Sequence, residues 1–284
     1  MEAVRGLAVL ATALAAGAAW VMLPRFLALI ERAGFVRENF RGEFVPAAAG
    51  AGIAIVYAAA LMLVLALQGA LSRVGQAETW GRATLALLVA SLGLALVGLI
   101  DDVLGDRSAT GLRGHLARLR DGVLTTGALK ALFGGVTGLA ASALASSGAV
   151  DVVINALLIS LSANAFNLLD LRPGRAAKGF FLMVAVLWAA VPRSPVWAYV
   201  APLAAVTAVY VPYDLRAKAM LGDTGSNLLG GAVGVAAAVS LSGLARTALL
   251  SLLVALHVYA ERGSLTELIE RVTPLRWLDR WGRE

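Results

Sequence analysis

Long apolar runs alternate with short polar stretches along the whole chain. A helix needs about 20 residues to cross the hydrocarbon core of a bilayer, and most of these runs reach that length. Because lipid offers no hydrogen-bond partner to an open backbone, uninterrupted runs of this length are typical of membrane helices. The pattern predicts an all-α, polytopic transmembrane helical bundle of about nine spans, near residues 4–24, 46–69, 80–100, 124–147, 150–169, 178–192, 196–213, 221–243 and 246–260.

The polar boundaries refine this picture. Pro24, Pro46 and Pro195 lie near predicted span ends, where proline suits the start or stop of a helix. From Leu265 to Trp281 apolar residues recur at helical spacing with basic residues between them. This pattern predicts an amphipathic helix that lies on the inner membrane surface or packs on the cytoplasmic loops. We therefore expect a single transmembrane domain over residues 1–263 and a cytoplasmic tail over 264–284.

Composition supports a lipid environment. Hydrophobic residues make up 60% of the 284 positions and charged residues only 15%, with a mean hydropathy of +0.81. A soluble domain usually has about a quarter of its residues charged. The absence of cysteine excludes disulfide and thiolate chemistry.

The distribution of positive charge predicts the orientation. Lysine and arginine accumulate in the cytoplasmic loops of membrane proteins. With the predicted spans, 19 of the 24 basic residues fall on one side, and the other side holds only Arg5, Arg73, Arg82, Arg193 and Arg246. The N-terminus is therefore predicted outside and the C-terminus in the cytoplasm of a cell membrane. This asymmetry accounts for the net charge of +6, so we expect no nucleic-acid partner.

Acidic residues stand at the cytoplasmic ends of three predicted spans. Asp101 and Asp102 close an apolar run, Asp170 follows the fifth span, and Asp223 opens the eighth. Carboxylates near hydrocarbon are costly, so their positions suggest function. Hard oxygen ligands on one face, with access to water, suit Mg²⁺ bound together with a substrate phosphate.

Structural explanations of these polar residues remain open. A lone aspartate at a helix end is often a cap, and Asp223 near a helix start suits that role. Asn164 and Asn167 form a polar stripe with Asp170, but amides on membrane helices also hydrogen-bond between helices. These explanations account for each residue singly and less well for all of them on one membrane face.

Five segments in this order resemble the polyprenyl-phosphate N-acetylhexosamine-1-phosphate transferase superfamily. They are Asn39-Phe-Arg-Gly-Glu-Phe-Val-Pro46, Gly98-Leu-Ile-Asp-Asp102, Leu124-Thr-Thr-Gly-Ala-Leu-Lys130, Asn164-Ala-Phe-Asn-Leu-Leu-Asp170 and Gly222-Asp-Thr-Gly-Ser226. The resemblance implies transfer of a sugar 1-phosphate from a UDP-N-acetylhexosamine to undecaprenyl phosphate, with release of UMP. It implies a membrane-embedded enzyme of cell-wall or peptidoglycan synthesis that depends on Mg²⁺, with Mn²⁺ as an alternative. Membrane lipids are expected partners, and a homodimer is left open.

The resemblance also implies roles for individual residues. It implies catalytic roles for Asp101, Asp102, Lys130 and Asp223, with Asp101 as the candidate base. The expected metal ligands are Asp223, Asp102 and Asp170. Substrate binding is expected from Asn164, Asn167, Asp170, Ser226, Arg113, Arg118 and Arg120. The three arginines have a second explanation, because cytoplasmic loops are basic for reasons of insertion alone.

The sequence departs from the family pattern in elements that recognise the sugar nucleotide. The lysine expected after the acidic pair is missing from Val103-Leu104-Gly105, and arginines follow Asp170 where a second acid is expected. His257 is the only candidate for the histidine motif of the last cytoplasmic loop, and helix packing explains it as well. An inactive relative acting as a scaffold or lipid-binding protein therefore remains an alternative. A small-solute transporter is less favoured, since its charges would lie near the midplane, with an inverted repeat.

Overall fold

The computed structural model describes residues 2–71, 74–105 and 111–283. In this part of the chain the helices and strands are α1 (Glu2–Arg32), β1 (Val36–Glu38), β2 (Phe44–Pro46), α2 (Gly50–Leu71), α3 (Val74–Leu104), α4 (Gly111–Arg120), α5 (Thr126–Ala145), α6 (Ala149–Leu169), α7 (Arg175–Ala190), α8 (Trp197–Leu215), α9 (Gly222–Ser240), α10 (Gly243–Ala260), α11 (Leu265–Arg271) and α12 (Thr273–Arg280).

The all-α membrane fold predicted from the sequence is confirmed. Within the described ranges, the helices α1–α3 and α5–α10 coincide one by one with the nine predicted runs. Seven of them are long and apolar enough to cross a membrane; α7 and α9 are the two that do not meet this test. The number of spans and the sidedness of the termini stay predictions. The helix end predicted at Pro24 is wrong, because α1 continues through this proline to Arg32.

Helix α9 is the centre of the bundle. Every residue from Thr224 to Ala238 is buried, which explains why this helix can be rich in small and polar residues. A methyl group at Gly234 would lie 2.7 Å from the Cα atom of Ile159 on α6. A methyl group at Gly98 of α3 would lie 2.6 Å from the backbone nitrogen of Thr224. Glycine at these positions lets three helix backbones approach closely.

The contacts place the predicted acids at one end of the bundle. This end combines the C-terminal ends of α3, α6 and α8 with the N-terminal ends of α5, α7 and α9. The opposite end has contacts of its own, such as the ion pair of Arg246 with Asp151 at 2.9 Å and the hydrogen bond from Arg82 to the Leu144 carbonyl. The helices therefore alternate in direction, as the predicted topology requires.

A short hairpin lies at the acidic end. Strands β1 and β2 pair antiparallel, with Val36 opposite Pro46. The Pro46 carbonyl accepts a hydrogen bond from the Met220 amide at 2.9 Å, and the Gly50 amide donates to the Leu221 carbonyl at 2.9 Å. These bonds tether the hairpin to the residues that precede α9.

The tail differs from the single amphipathic helix that its pattern predicts. It forms two short helices, α11 and α12, separated by Val272 in an extended conformation. Pro274 explains the break, because proline has no amide hydrogen to continue a helix but suits its first turn. The side chains of Leu265, Ile269 and Asp279 are buried, and Asp279 forms an ion pair with Arg175 at the start of α7. The tail therefore packs on the polar end of the transmembrane helices, one of the two placements expected for it.

Candidate active site

Three helices bring one lysine and two aspartates together. Lys130, near the start of α5, lies between Asp101 at the end of α3 and Asp223 at the start of α9. Its Nζ atom is 3.6 Å from Asp101 Oδ2 and contacts Asp223 Oδ2 directly. The three side chains are between 19% and 25% exposed, so they are largely removed from water but still accessible. We refer to Asp101, Lys130 and Asp223 as the charged cluster.

Asp102 points away from this cluster. Its Oδ1 atom accepts a hydrogen bond from the Asp223 amide at 2.9 Å, and its Oδ2 atom accepts one from the Thr224 amide at 2.9 Å. A carboxylate in this position satisfies free amides at a helix start and is stabilised by the helix dipole. Asp102 therefore caps the N-terminus of α9 although it belongs to α3. It is not a member of the charged cluster.

The asparagine stripe of α6 reaches the site in part. Asn167 lies beside Asp223, but its Nδ2 atom is buried without a hydrogen-bond partner among the described residues. Asp170 ends the helix three residues later. Asn164, one turn earlier, is exposed. Burial raises the pKa of Asp170 well above its usual range, and the charges of Asp214, Asp223 and Asp102 raise it further.

A cleft lies at the same end of the bundle as the charged cluster and has Asp170 in its lining. Its walls are the hairpin turn, the turn after α6 and the segment between α8 and α9, contributed by Asn39, Phe40, Asp170, Leu171, Arg172, Pro173, Asp214, Ala217, Ala219, Met220 and Leu221. The Asn39 side chain joins two of these walls by donating to the Ala217 carbonyl at 3.1 Å. Most of the lining is apolar, and its polar side chains are Asn39, Asp170, Arg172 and Asp214. Such a lining suits a ligand that has both apolar surface and polar groups.

Asp214 is a residue of this cleft that the sequence reasoning missed. Its side chain is only 3% exposed, and its Oδ2 atom has no hydrogen-bond partner among the described residues. It ends the apolar run 196–213 as Asp101 and Asp170 end theirs, so the same signal could have identified it. A buried acceptor without a donor is costly unless a ligand or water supplies one.

The sequence profile of glycosyl transferase family 4 matches residues 84–241, which is more than half of the chain. The chain belongs to glycosyl transferase family 4. The resemblance to polyprenyl-phosphate hexosamine-1-phosphate transferases is thereby confirmed at the level of the family. No protein with a curated description matches the chain. The matched part of this family 4 protein runs from α3 to α9 and contains the charged cluster, whereas the hairpin and the tail lie outside it.

Other predicted site residues of the family 4 protein lie apart from the charged cluster. Ser226 is fully buried inside the bundle, and its hydroxyl donates to the Asp223 carbonyl of its own helix at 3.4 Å. Arg118 and Arg120 are exposed on α4, and the side chain of Arg113 is outside the described part of the structure. His257 contacts the Leu253 carbonyl one turn earlier in α10 at 2.7 Å, in keeping with a packing role.

The donors available for a metal come from two helices. No three His, Cys, Asp or Glu side chains form a metal-holding group in the ranges 2–71, 74–105 and 111–283. Mg²⁺ seldom uses such a cage, since it is commonly bound by one or two carboxylates together with substrate phosphates. Asp101 and Asp223 fit this requirement, because both face Lys130 and remain accessible. Asp102 fits it less well, because both of its oxygens accept hydrogen bonds from α9.

Proposed function

We propose that this family 4 transferase moves an N-acetylhexosamine 1-phosphate from a UDP-sugar to undecaprenyl phosphate during the synthesis of a cell-envelope glycan such as peptidoglycan. The observation that carries the proposal is the charged cluster, in which Lys130 contacts Asp223 and lies 3.6 Å from Asp101. The cleft lies at the same end of the bundle. An oxygen of the lipid phosphate attacks the sugar-bound phosphorus. The bond from this phosphorus to the bridging oxygen breaks, and UMP leaves with that oxygen.

The main barrier to this reaction is electrostatic, because both reactants are phosphates. Lys130 supplies a positive charge in a site largely removed from water, where such a charge interacts strongly with phosphate oxygens. Asp101 and Asp223 hold the ammonium group between them. Loss of the lysine would leave two carboxylates near the phosphates without a compensating positive charge.

Asp101 and Asp223 are also the residues that would hold Mg²⁺, with Mn²⁺ as an alternative. Bound there, the ion would neutralise charge on the diphosphate and on the leaving group. Asp170 would stay in the cleft, on the nucleotide side. A phosphate monoester is already largely ionised at neutral pH, so Asp101 has less need to act as a base than to orient Lys130 and the ion.

We propose that the cleft holds the nucleotide part of the UDP-sugar. The unpaired Oδ2 atom of Asp214 can accept a hydrogen bond from an N–H group, which a pyrimidine base or an acetamido sugar provides. Asp170 adds further acceptors on the neighbouring wall. The charge asymmetry supports a cytoplasmic position for the cleft, on the side of the membrane where sugar nucleotides are found.

Two alternatives are less well supported. An inactive scaffold has no need to keep Asp101, Lys130 and Asp223 in mutual contact. A transporter would place such charges near the midplane, whereas these lie at the helix ends.

The proposal is tested by UMP release from purified protein in nanodiscs that contain undecaprenyl phosphate. A panel of UDP-sugars is offered with Mg²⁺ or with a chelator, and the lipid product is identified by mass spectrometry. We expect one N-acetylhexosamine nucleotide to give stoichiometric UMP and lipid-linked sugar phosphate only in the presence of the metal. No turnover with any sugar nucleotide would favour the inactive relative.

A further inference from the structure

The tail is attached to the transmembrane bundle by a buried ion pair. The guanidinium of Arg175, at the start of α7, donates to both oxygens of Asp279 in α12, at 2.7 and 3.2 Å. The two side chains are 5% and 7% exposed. A two-pronged contact of this kind fixes orientation as well as distance. Burying the charges costs solvation free energy, so the pair is better suited to defining one arrangement than to adding stability.

Further contacts join the tail to the same short turn. Lys178 donates to the Leu278 and Asp279 carbonyls at 3.1 and 2.7 Å. Arg283 donates to the Pro173 carbonyl at 3.1 Å and to the Asp279 carboxylate at 2.9 Å. The residues from Pro173 to Lys178 are thus held by charge-assisted hydrogen bonds along one side.

The other side of this turn is a wall of the cleft. Asp170, Leu171, Arg172 and Pro173 line it. Asp214 lines the same cleft from the end of α8. Gly174 has a φ of +74°, a conformation that glycine adopts without strain, and a methyl group there would overlap the Leu215 side chain. A displacement of the turn would therefore move the cleft wall with it.

We propose that the tail is a positioning element for the nucleotide cleft, with Asp279 as its central positioning residue. Asp279 touches no substrate; through Arg175 it fixes the turn that carries the cleft wall. A wall that is already ordered spares the ligand the entropy cost of ordering it on binding. The nucleotide assignment of the cleft rests on the proposed function, whereas the ordering of the turn by the tail does not.

The test compares two substitutions in the tail of the full-length protein in nanodiscs. D279N removes the charge from the buried pair. E267Q makes the same chemical change at the exposed pair of Glu267 with Arg271, which are 66% and 76% exposed at 3.4 Å. The two readouts are hydrogen exchange of residues 170–178 without ligand and the dissociation constant of UDP. If the protein turns over, the Michaelis constant for undecaprenyl phosphate is added.

We expect D279N to speed exchange in residues 170–178 and to weaken UDP binding by about tenfold, as for the loss of one charge-assisted contact. The Michaelis constant for the lipid should stay within about twofold of wild type, because the lipid phosphate binds at the charged cluster. E267Q should match the wild type in every readout. R283Q offers a milder disturbance, since it leaves the Arg175 pair in place and removes the contacts of Arg283 with the Pro173 carbonyl and the Asp279 carboxylate. It should show the same changes as D279N at smaller magnitude.

Equal exchange and equal UDP affinity in D279N, R283Q and E267Q would overturn the proposal. If D279N does not fold, the proposal is tested with R283Q, by the hydrogen exchange of residues 170–178. Absence of UMP release in the wild type would refute the proposed function but leave the exchange comparison intact. Faster exchange without any change in UDP affinity would contradict the role of the tail in nucleotide binding.

Discussion

The Asp102 carboxylate binds both donors of Thr224, the backbone amide at 2.9 Å and the hydroxyl at 2.5 Å. A third bond, from the Asp223 amide, ties the start of α9 to the end of α3. This arrangement fixes Asp223 where it meets Lys130 of α5. Asp102 thus stabilises the first turn of α9, whereas Asp101 belongs to the charged cluster.

The contacts of Asp102 with α9 predict a loss of stability when this residue is changed. D102N keeps one acceptor and introduces an unwanted donor, so we expect the free energy of unfolding to fall by about 1–3 kcal/mol. T224V, which removes only the hydroxyl donor, should cost less. Thermal unfolding in detergent measures both. If D102N unfolded like the wild type but lost Mg²⁺ affinity, Asp102 would be a metal ligand and not a cap.

The close crossing of α3 and α9 predicts that G98A is disruptive. A methyl group at Gly98 would lie 2.6 Å from the Thr224 nitrogen, and backbone atoms cannot move aside cheaply. We expect a destabilisation of about 1–3 kcal/mol, typical of overpacking, together with reduced turnover. G134A is the matched control, because the nearest atom to its new methyl group is a Leu94 carbon at 3.8 Å. Equal unfolding midpoints for the two variants would show that the crossing tolerates a wider spacing.

Lys130 is predicted to serve catalysis and to compete with the metal for the two carboxylates. K130M should lower turnover by at least about tenfold, because a positive charge next to the phosphates is lost. It should also lower the Mg²⁺ concentration that gives half-maximal activity, because Asp101 and Asp223 no longer bind an ammonium group. Titration of UMP release with Mg²⁺ measures both effects. Unchanged turnover, or a higher Mg²⁺ requirement, would contradict this role.

The contribution of Asp279 to attachment of the tail should depend on pH only under acid conditions. Burial favours the protonated form of Asp279, but hydrogen bonds from Arg175 and Arg283 outweigh it and lower the pKa of this carboxyl. The stabilising charge is fully present above the unfolded pKa of about 4 and is lost as the pH falls through the folded pKa. Protection of the tail from proteolysis should therefore be constant from about pH 5 to pH 8. Loss of protection within that range would mean that another group controls the attachment.

The sequence predicted the helices and the shared end of the acids for a physical reason. Lipid requires long apolar runs, so helices are visible in the pattern, and carboxylates are confined to their ends. The helical geometry of α3 explains why the sequence could not assign different roles to Asp101 and Asp102. Asp101 and Asp102 are adjacent and chemically identical, but successive residues of a helix point about 100° apart. Only the packing of α5 and α9 decides which of them meets Lys130.

The tail shows a second limit of prediction from the sequence. Pro274 marks the break between α11 and α12 and could have been used to predict two helices instead of one. Asp279 fitted the expected polar face of an amphipathic helix. Its partner Arg175 is 104 residues away in the sequence, and no local pattern connects them. A buried contact over this separation is a property of the fold.

The most direct measurement of the central claim is the rate of UMP release by D223N compared with the wild type, at saturating UDP-sugar and undecaprenyl phosphate with Mg²⁺. Asparagine keeps the size of Asp223 but cannot hold Lys130 or a divalent ion with a charge. We predict a protein that inserts and unfolds like the wild type and releases UMP at least roughly 10²-fold more slowly, because charge neutralisation at the phosphates contributes several kcal/mol. A D223N protein with the wild-type rate, or wild-type protein with full activity in a chelator, would contradict the assignment of the charged cluster as the site of transfer.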